Sequence, residues 1–287
     1  MQYVKPDTVA DAVGLLKQNP GSARVMAGGT DLLVQMKSGM VEPGMVIDIK
    51  GLPGSNEIKA EDGGMRVGAG VSGAALGEHE AFCKMWPGVA EAFQLIGSTQ
   101  VQGRATMAGN LMNASPAADS VPAMVAANAV ARIEGPDGQR DCAVGDIPAG
   151  PGKTTLKAGE FISSIFFPAK ADNASDAYLR FIPRTEMDIA VASAGVSLQL
   201  DGNGNVTAAR VALGAVAPTV VLVEDAAAAL VGSKLDDAAL DAMAAACSAA
   251  CNPIDDKRGT VEFRTKVAGV MARRAAKIAY ERAGGAK

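Results

Sequence analysis

What most restricts the fold of this chain is a pair of turns built from small residues and far apart in sequence. They are Ala27-Gly28-Gly29-Thr30-Asp31 and Thr106-Met107-Ala108-Gly109-Asn110. The first follows Arg24 to Ala27, which reads as a buried strand, and opens a periodic segment from Asp31 to Lys37 with Leu32, Leu33 and Met36 expected inward. A strand that ends in consecutive glycines and restarts as a helix aims successive N–H groups in one direction. That is an anion-binding nest, reinforced by the helix N-terminus. The second turn runs on into Asn113-Ala114-Ser115-Pro116-Ala117-Ala118-Asp119-Ser120. Donors of the N–H and hydroxyl type suit phosphate oxygens, and a carboxylate suits the hydroxyls of a sugar or ribityl chain.

Around these turns the chain reads as α+β. A strand at Gln2 to Lys5 leads into a helix capped by Asp7 or Thr8, with Val9, Ala12, Val13 and Leu16 at the 3.6 period and Asn19-Pro20-Gly21 as its stop. With Met45 to Ile49 this makes a strand–helix–strand–helix–strand unit ending near Gly54. A second unit holds a strand at Met65 to Gly68, helices from Gly73, from Val89 to Ile96 and from Val121 to Asn128, and a strand from Ala129 to Glu134. A glycine-rich loop is expected over Gly97 to Pro116, a hairpin turn at Asp137-Gly138, and a linker at Ala169 to Ser175. Three strands follow, Ala177 to Ile182, Ala190 to Leu200 and Val206 to Gly214, the last two joined by Asp201-Gly202-Asn203-Gly204. Two or three helices finish the chain, with Phe263, Val267, Val270, Met271 and Ile278 expected on one buried face of the last. Strands followed by helices mark a separate C-terminal domain.

Two other glycine-rich segments compete for attention. Gly68-Ala69-Gly70-Val71-Ser72-Gly73 spells a dinucleotide fingerprint, but the acid-ended strand expected about 20 residues later is replaced by the helix start Trp86 to Glu91. Gly150-Pro151-Gly152-Lys153-Thr154 imitates a phosphate loop, yet Ile147 stands where its first glycine belongs, so a plain turn is expected. Cys83, Cys142, Cys247 and Cys251 do not form a cluster framework. Cys247 and Cys251 share a helical spacing that could hold a metal, but packing in an Ala-rich run is the favoured reading. His79, the single histidine, reads as an exposed helix residue rather than a member of a catalytic triad. No metal ligand and no catalytic acid, base or nucleophile is expected. The formal charge of −4 calls for neither nucleic acid nor an anionic membrane. With no signal-peptide pattern and no apolar run of bilayer length, a cytoplasmic location, or one at the inner face of the membrane, is expected.

Ala-Gly-Gly-Thr-Asp at 27–31, followed by Thr106-x-x-Gly109-Asn110 and Ser115-Pro116-Ala117-Ala118-Asp119, resembles the FAD-binding subunits of the xanthine dehydrogenase and carbon monoxide dehydrogenase family. The resemblance continues through Gly150 to Thr154, Tyr178 to Phe181, Glu186 to Ala190 and Pro253 to Asp256. It implies a vanillyl-alcohol-oxidase (PCMH)-type fold. Residues 1–172 would form the FAD-binding domain, in subdomains of about 1–54 and 55–172, and 173–287 a C-terminal domain with a three-stranded sheet and helices. Carried over by position, Ala27, Gly28, Gly29, Thr30 and Asp31, and Thr106, Ala108, Gly109 and Asn110, would hold the FAD diphosphate. Asp119 would bind a hydroxyl-bearing part of FAD, and Arg180 would stand near the pyrimidine edge of the flavin. Two positions depart from the family: Ala108 replaces a glycine, so its backbone must be αR or β-like, and Gln102 replaces an arginine. Neither turn carries a histidine, so the FAD is expected to be non-covalent.

The resemblance implies an electron-transfer role. A large partner would carry the molybdenum cofactor and a small one [2Fe–2S] clusters, in a dimer of heterotrimers. FAD on this chain would pass electrons to an external acceptor such as a quinone, NAD or oxygen. A free-standing flavin oxidase or reductase of the same fold is the alternative, with a flavin-free scaffold and an NAD dehydrogenase behind it. The substrate, whether carbon monoxide, an N-heterocycle or an aldehyde, is not written in this chain. The C-terminal helix cations Arg264, Lys266, Arg273, Arg274, Lys277 and Arg282 are expected either to dock partners or to be a solvated face.

Overall fold

The computed structural model describes residues 1–61 and 63–285. The first unit comprises β1 (Gln2–Val4), α1 (Val9–Gln18), β2 (Ala23–Met26), α2 (Leu32–Lys37) and β3 (Met45–Asp48). Both crossovers return in parallel, giving a sheet of order β1-β3-β2. Of the two candidate caps for α1, Thr8 is the one used: its hydroxyl accepts from the Asp11 N–H at 3.1 Å. The middle strand β3 is buried throughout, as a strand covered on both faces must be. Helix α2 departs from expectation, because it buries none of its residues and leaves Leu33 54% exposed. Six residues at the rim of a cavity have no core to turn toward.

The second unit begins with β4 (Ile58–Glu61) and β5 (Gly64–Gly68). Six helices follow: α3 (Gly73–Glu78), α4 (Glu80–Met85), α5 (Pro87–Gln94), α6 (Thr99–Gln102), α7 (Met107–Met112) and α8 (Ser120–Ala126). Strands β6 (Val130–Gly135), β7 (Gly138–Ala143), β8 (Pro148–Gly150), β9 (Lys153–Thr154) and β10 (Phe161–Pro168) complete it. Its main sheet is antiparallel, in the order β4-β5-β10-β6-β7. The stretch expected as one loop from Gly97 to Pro116 therefore holds two short helices, and Ala108 lies inside α7 with the helical backbone its side chain requires. His79 is half-buried between α3 and α4, where Nδ1 accepts from the Phe82 N–H at 3.1 Å, so it is a cap and not an exposed helix residue. The glycines of the apparent dinucleotide fingerprint are spacers. A Cβ on Gly68 would meet the Ser55 carbonyl, and one on Gly73 the ring of Phe93. Gly150 and Gly152 form the tip of the β8–β9 hairpin, the plain turn that was expected.

The third unit is a meander of β11 (Ala174–Phe181), β12 (Ala192–Leu200), β13 (Val206–Gly214) and β14 (Val221–Leu222), covered by α9 (Glu224–Leu230), α10 (Asp237–Ala249) and α11 (Val261–Arg282). The sheet thus has a fourth strand of two residues beyond the three expected, and β11 begins inside the expected linker. Lys170, also in that segment, is buried against Asp176 at 2.8 Å and lies over the Trp86 ring at 4.4 Å. The buried face of α11 is made of Ala268, Ala272, Ala275, Ala276 and Ala279, while Phe263 is 40% exposed and stacks edge-on to Phe181. Alanine lets a helix lie close on a sheet; of the residues expected inward Met271 is buried, while Val267, Val270 and Ile278 are half-buried at the margin. Cys247 is fully buried and Cys251 donates its thiol to the Cys247 carbonyl at 3.2 Å. Burial pushes the two thiols up to about 12 and about 11, which leaves them as protonated packing groups.

Helix α8 joins the second and third units. All seven of its residues are buried, and Pro122 packs where Gly195 of β12 and Gly214 of β13 leave room. Its C-terminal end is capped from β13, where Arg210 Nη2 donates to the Val125 carbonyl at 3.0 Å. Among the described residues no helix is long and apolar enough to cross a membrane.

Candidate functional site

The two small-residue turns meet. Gly28 lies so close to the segment before α7 that a Cβ there would sit 2.0 Å from the Arg104 carbonyl oxygen and 3.1 Å from the Ala105 Cα. Gly29 follows in the left-handed region, at φ +77°, where a side chain is strained. Strand β2 delivers the first turn from one direction. An isolated bridge between Ser72 and Thr106, with the Gly73 N–H donating to the Ala105 carbonyl at 3.0 Å, delivers the second from the other.

Between them opens a cavity of about 570 Å³. Ala27, Gly28, Gly29, Thr30 and Asp31 line it, as do Thr106, Ala108, Gly109 and Asn110. Among the described residues, the N–H groups of Gly28, Gly29, Thr30 and Asp31 donate to no protein acceptor, and neither do those of Met107 and Ala108. Thr106 caps α7 by accepting the Gly109 N–H at 3.0 Å, which fixes that first turn. Free donors of the first turn and the Ala108 N–H of the second thus border one space, with no room for a β-carbon where the two turns touch. This arrangement fits a dinucleotide diphosphate, which needs backbone approach and donors more than side chains. Arg24 is the only cation among the described lining residues, and Nη1 of its guanidinium already donates to the Gly21 and Ala23 carbonyls. Asp31 stands at the rim, where crowding by protein raises its pKa above the usual carboxylate range.

Asp119 and Arg180 are placed differently. Neither lines the cavity; they face each other, with Arg180 Nη1 2.5 Å from Asp119 Oδ2 and both side chains buried. The Tyr178 hydroxyl donates to the other carboxylate oxygen at 2.8 Å. Burial raises the Asp119 pKa, and Arg180 and Tyr178 pull against it without fully offsetting it. The guanidinium expected near the flavin edge therefore has a carboxylate partner.

Several contributors were not foreseen from sequence. Lys50 Nζ donates to the Ala27 carbonyl at 2.9 Å and pairs with buried Asp48 at 2.6 Å, so it braces the first turn from behind. Burial raises Asp48, but hydrogen bonds from Lys50 and Tyr3 outweigh it and hold the carboxyl below its ordinary range. Gln35 of α2 donates to Asn113 at 3.0 Å, linking the two turns along a further wall. Gly152 of the β8–β9 hairpin also lines the space and is tied to the Ala114 carbonyl at 3.0 Å. Gly152 and Asn113 lay in motifs that had drawn attention; Lys50, Asp48 and Gln35 act across sequence distance.

Of the helix cations read as a docking face, Arg264 is buried and donates to the Val191 and Ala215 carbonyls and to Asp256. Arg273 pairs with Asp237 and Asp241, and Arg282 with Glu91. That face reduces to Lys266, Arg274 and Lys277, which are exposed.

Comparison with known proteins extends the geometry. Residues 1–170 match the family model for the FAD binding domain in molybdopterin dehydrogenase, and residues 177–279 that for the CO dehydrogenase flavoprotein C-terminal domain. The chain is 34% identical over 281 residues to the carbon monoxide dehydrogenase medium chain of Afipia carboxidovorans, covering 98% of this chain and 97% of that one. It is 30% identical over 285 residues to a putative xanthine dehydrogenase FAD-binding subunit of Escherichia coli K12, covering 99% and 97%. Its fold matches a chain of the reconstituted CO dehydrogenase from Oligotropha carboxidovorans with a TM-score of 0.94, 33% identity and 98% coverage of both chains.

Proposed function

Because this chain belongs to the family of FAD-binding subunits of molybdenum-containing dehydrogenases, we propose that it is the electron-transfer subunit of such a complex. It receives electrons from [2Fe–2S] clusters of a small partner and delivers them to an external acceptor. A large partner carries the molybdenum cofactor and the substrate chemistry, in an assembly that we take to be a dimer of heterotrimers in the cytoplasm. The relatives support this reading by their names, a medium chain and an FAD-binding subunit. FAD, bound non-covalently, supplies the redox chemistry.

The residues of this chain bind and orient. Residues 1–172 form the domain that holds the cofactor, and 173–287 form the separate C-terminal domain. Ala27, Gly28, Gly29, Thr30 and Asp31, with Thr106, Ala108, Gly109 and Asn110, hold the diphosphate between their free donors. Asp119 and Arg180 act on the cofactor as a pair, through the acceptor and donor capacity their mutual contact leaves over. No residue of this chain needs to act as acid, base or nucleophile.

The observation that carries the reading is the contact of Gly28 with Arg104, which brings both donor sets to one cavity. The test is anaerobic addition of substrate to the assembled complex while the flavin absorbance is followed. The flavin bleaches in the complex and stays oxidised when the isolated subunit meets the same substrate. Turnover by the isolated subunit would instead favour a free-standing oxidase or reductase.

A further inference from the structure

We propose that Ser120 is a positioning residue for the cofactor: it holds the Asn110 amide so that the NH2 group, and not the carbonyl, faces the cavity. The inference rests on reading the cavity as the FAD site. Asn110 lies in α7 and lines the cavity, whereas Ser120 opens α8, is fully buried and does not line it. The Ser120 hydroxyl donates to Asn110 Oδ1 at 2.7 Å. A primary amide offers an acceptor on one side and two donors on the other, so engaging the oxygen decides what the opposite side presents. Among the described residues Asn110 Nδ2 has no protein acceptor.

Its surroundings give that choice a meaning. Free N–H donors lie nearby, those of Gly28, Gly29 and Thr30 on one turn and of Ala108 on the other, while the carboxylate of the first turn, Asp31, stands at the exposed rim. In this orientation the amide adds one more donor to a cradle for anionic oxygen; reversed, it would aim a carbonyl oxygen at the diphosphate. Ser120 is itself well anchored, since the preceding residue, Asp119, is tied to Tyr178 and Arg180 of β11. The hydroxyl thus works at one remove from the ligand, through Asn110.

The full chain, stripped of flavin, is titrated with FAD and followed by flavin fluorescence. Ser120→Ala is expected to weaken binding about five- to tenfold, the worth of one preorganised hydrogen bond. Ser120→Thr, which keeps the hydroxyl, restores it. In an Asn110→Ala background Ser120→Ala produces no further loss, and this cycle decides the matter alone if the threonine variant does not fold. Asn110→Asp keeps an acceptor for Ser120 but removes the donor, and is expected to bind FAD at least as weakly as Asn110→Ala. Wild-type affinity in Ser120→Ala, an equal loss in both backgrounds, or full affinity in Asn110→Asp would overturn the proposal. A wild-type chain that takes up no FAD would overturn the cofactor reading along with it, whereas a failure confined to the Ser120 variants would leave that reading standing.

Discussion

Gly28 and Arg104 touch backbone to backbone, with no space between them for a side-chain carbon. One residue follows the parallel strand β2 of the first unit and the other precedes helix α7 of the second. The contact therefore sets the distance between two rows of unpaired N–H groups. A diphosphate needs that distance fixed before it arrives, because donors that must first be ordered give back part of the binding energy.

Lys50 supports this arrangement from the side away from the cavity, and its support depends on ionised Asp48. Lys50→Met is expected to weaken FAD binding severalfold while the flavin-free chain stays folded by circular dichroism. The Asp48 carboxyl is held below its ordinary pKa, so the stabilisation it supplies is complete at neutral pH and above the ordinary carboxylate range. It is lost as pH falls below that range and Asp48 gains a proton. Denaturation midpoints measured against pH should show this acid loss in the wild type and less of it in Asp48→Asn.

Pro122 of α8 and Gly195 of β12 set how closely the second and third units approach. A Cβ on Gly195 would lie 2.7 Å from the Pro122 carbonyl oxygen. Gly195→Ala must push α8 off the sheet, and overpacking of this kind costs about 1–3 kcal/mol. Urea denaturation should show a lower midpoint for Gly195→Ala and little change for Gly202→Ala, where the added carbon meets open space.

Trp86 is the only tryptophan, and it reports on the buried pair of Lys170 and Asp176. Lys170→Met leaves the Asp176 carboxylate buried without its cation, a change that typically costs about 3–5 kcal/mol. The expected result is a large loss of stability with altered Trp86 emission in the native state. Unchanged stability would mean that Asp176 is content with its bond to the Val89 N–H.

The cations of α11 divide by what they touch. Reversing Lys266, Arg274 and Lys277 to glutamate should leave the fold within about 0.5 kcal/mol per site, as for surface substitutions generally. Arg264→Ala should destabilise it strongly, because it takes a buried donor from the Val191 and Ala215 carbonyls and the paired cation from Asp256. If the triple variant also assembles normally with its partners, the exposed remainder of that face has no docking role.

The parts legible in the sequence were those whose cause is local. The first unit declares itself through period, cap and glycine stop, and the two turns do so through small and capping residues, the first after strand β2 and the second at the start of helix α7. Strand β10 does not, although it is the centre of its sheet. It is paired on both sides and buried along most of its length, and a register shift between Ile162 and Ser164 breaks what alternation remains. Strand β14 is too short to show any period. On α11 the residue that stands out most by size, Phe263, is exposed, while plain alanines with Met271 and Tyr280 make the contact. In the site, Lys50 and Ser120 act on turns that only the tertiary fold brings beside them, and Arg180 met a carboxylate that no local pattern would have paired with it.

The central claim is that the two turns hold one FAD between them, and Gly28→Val tests it most directly through equilibrium titration of the flavin-stripped chain with FAD. The wild type is expected to bind one FAD per chain. Gly28→Val is expected to stay folded by circular dichroism and bind FAD at least a hundredfold more weakly, because the new side chain must force the Arg104 backbone away. Saturable binding of wild-type strength in the folded Gly28→Val chain would contradict the account.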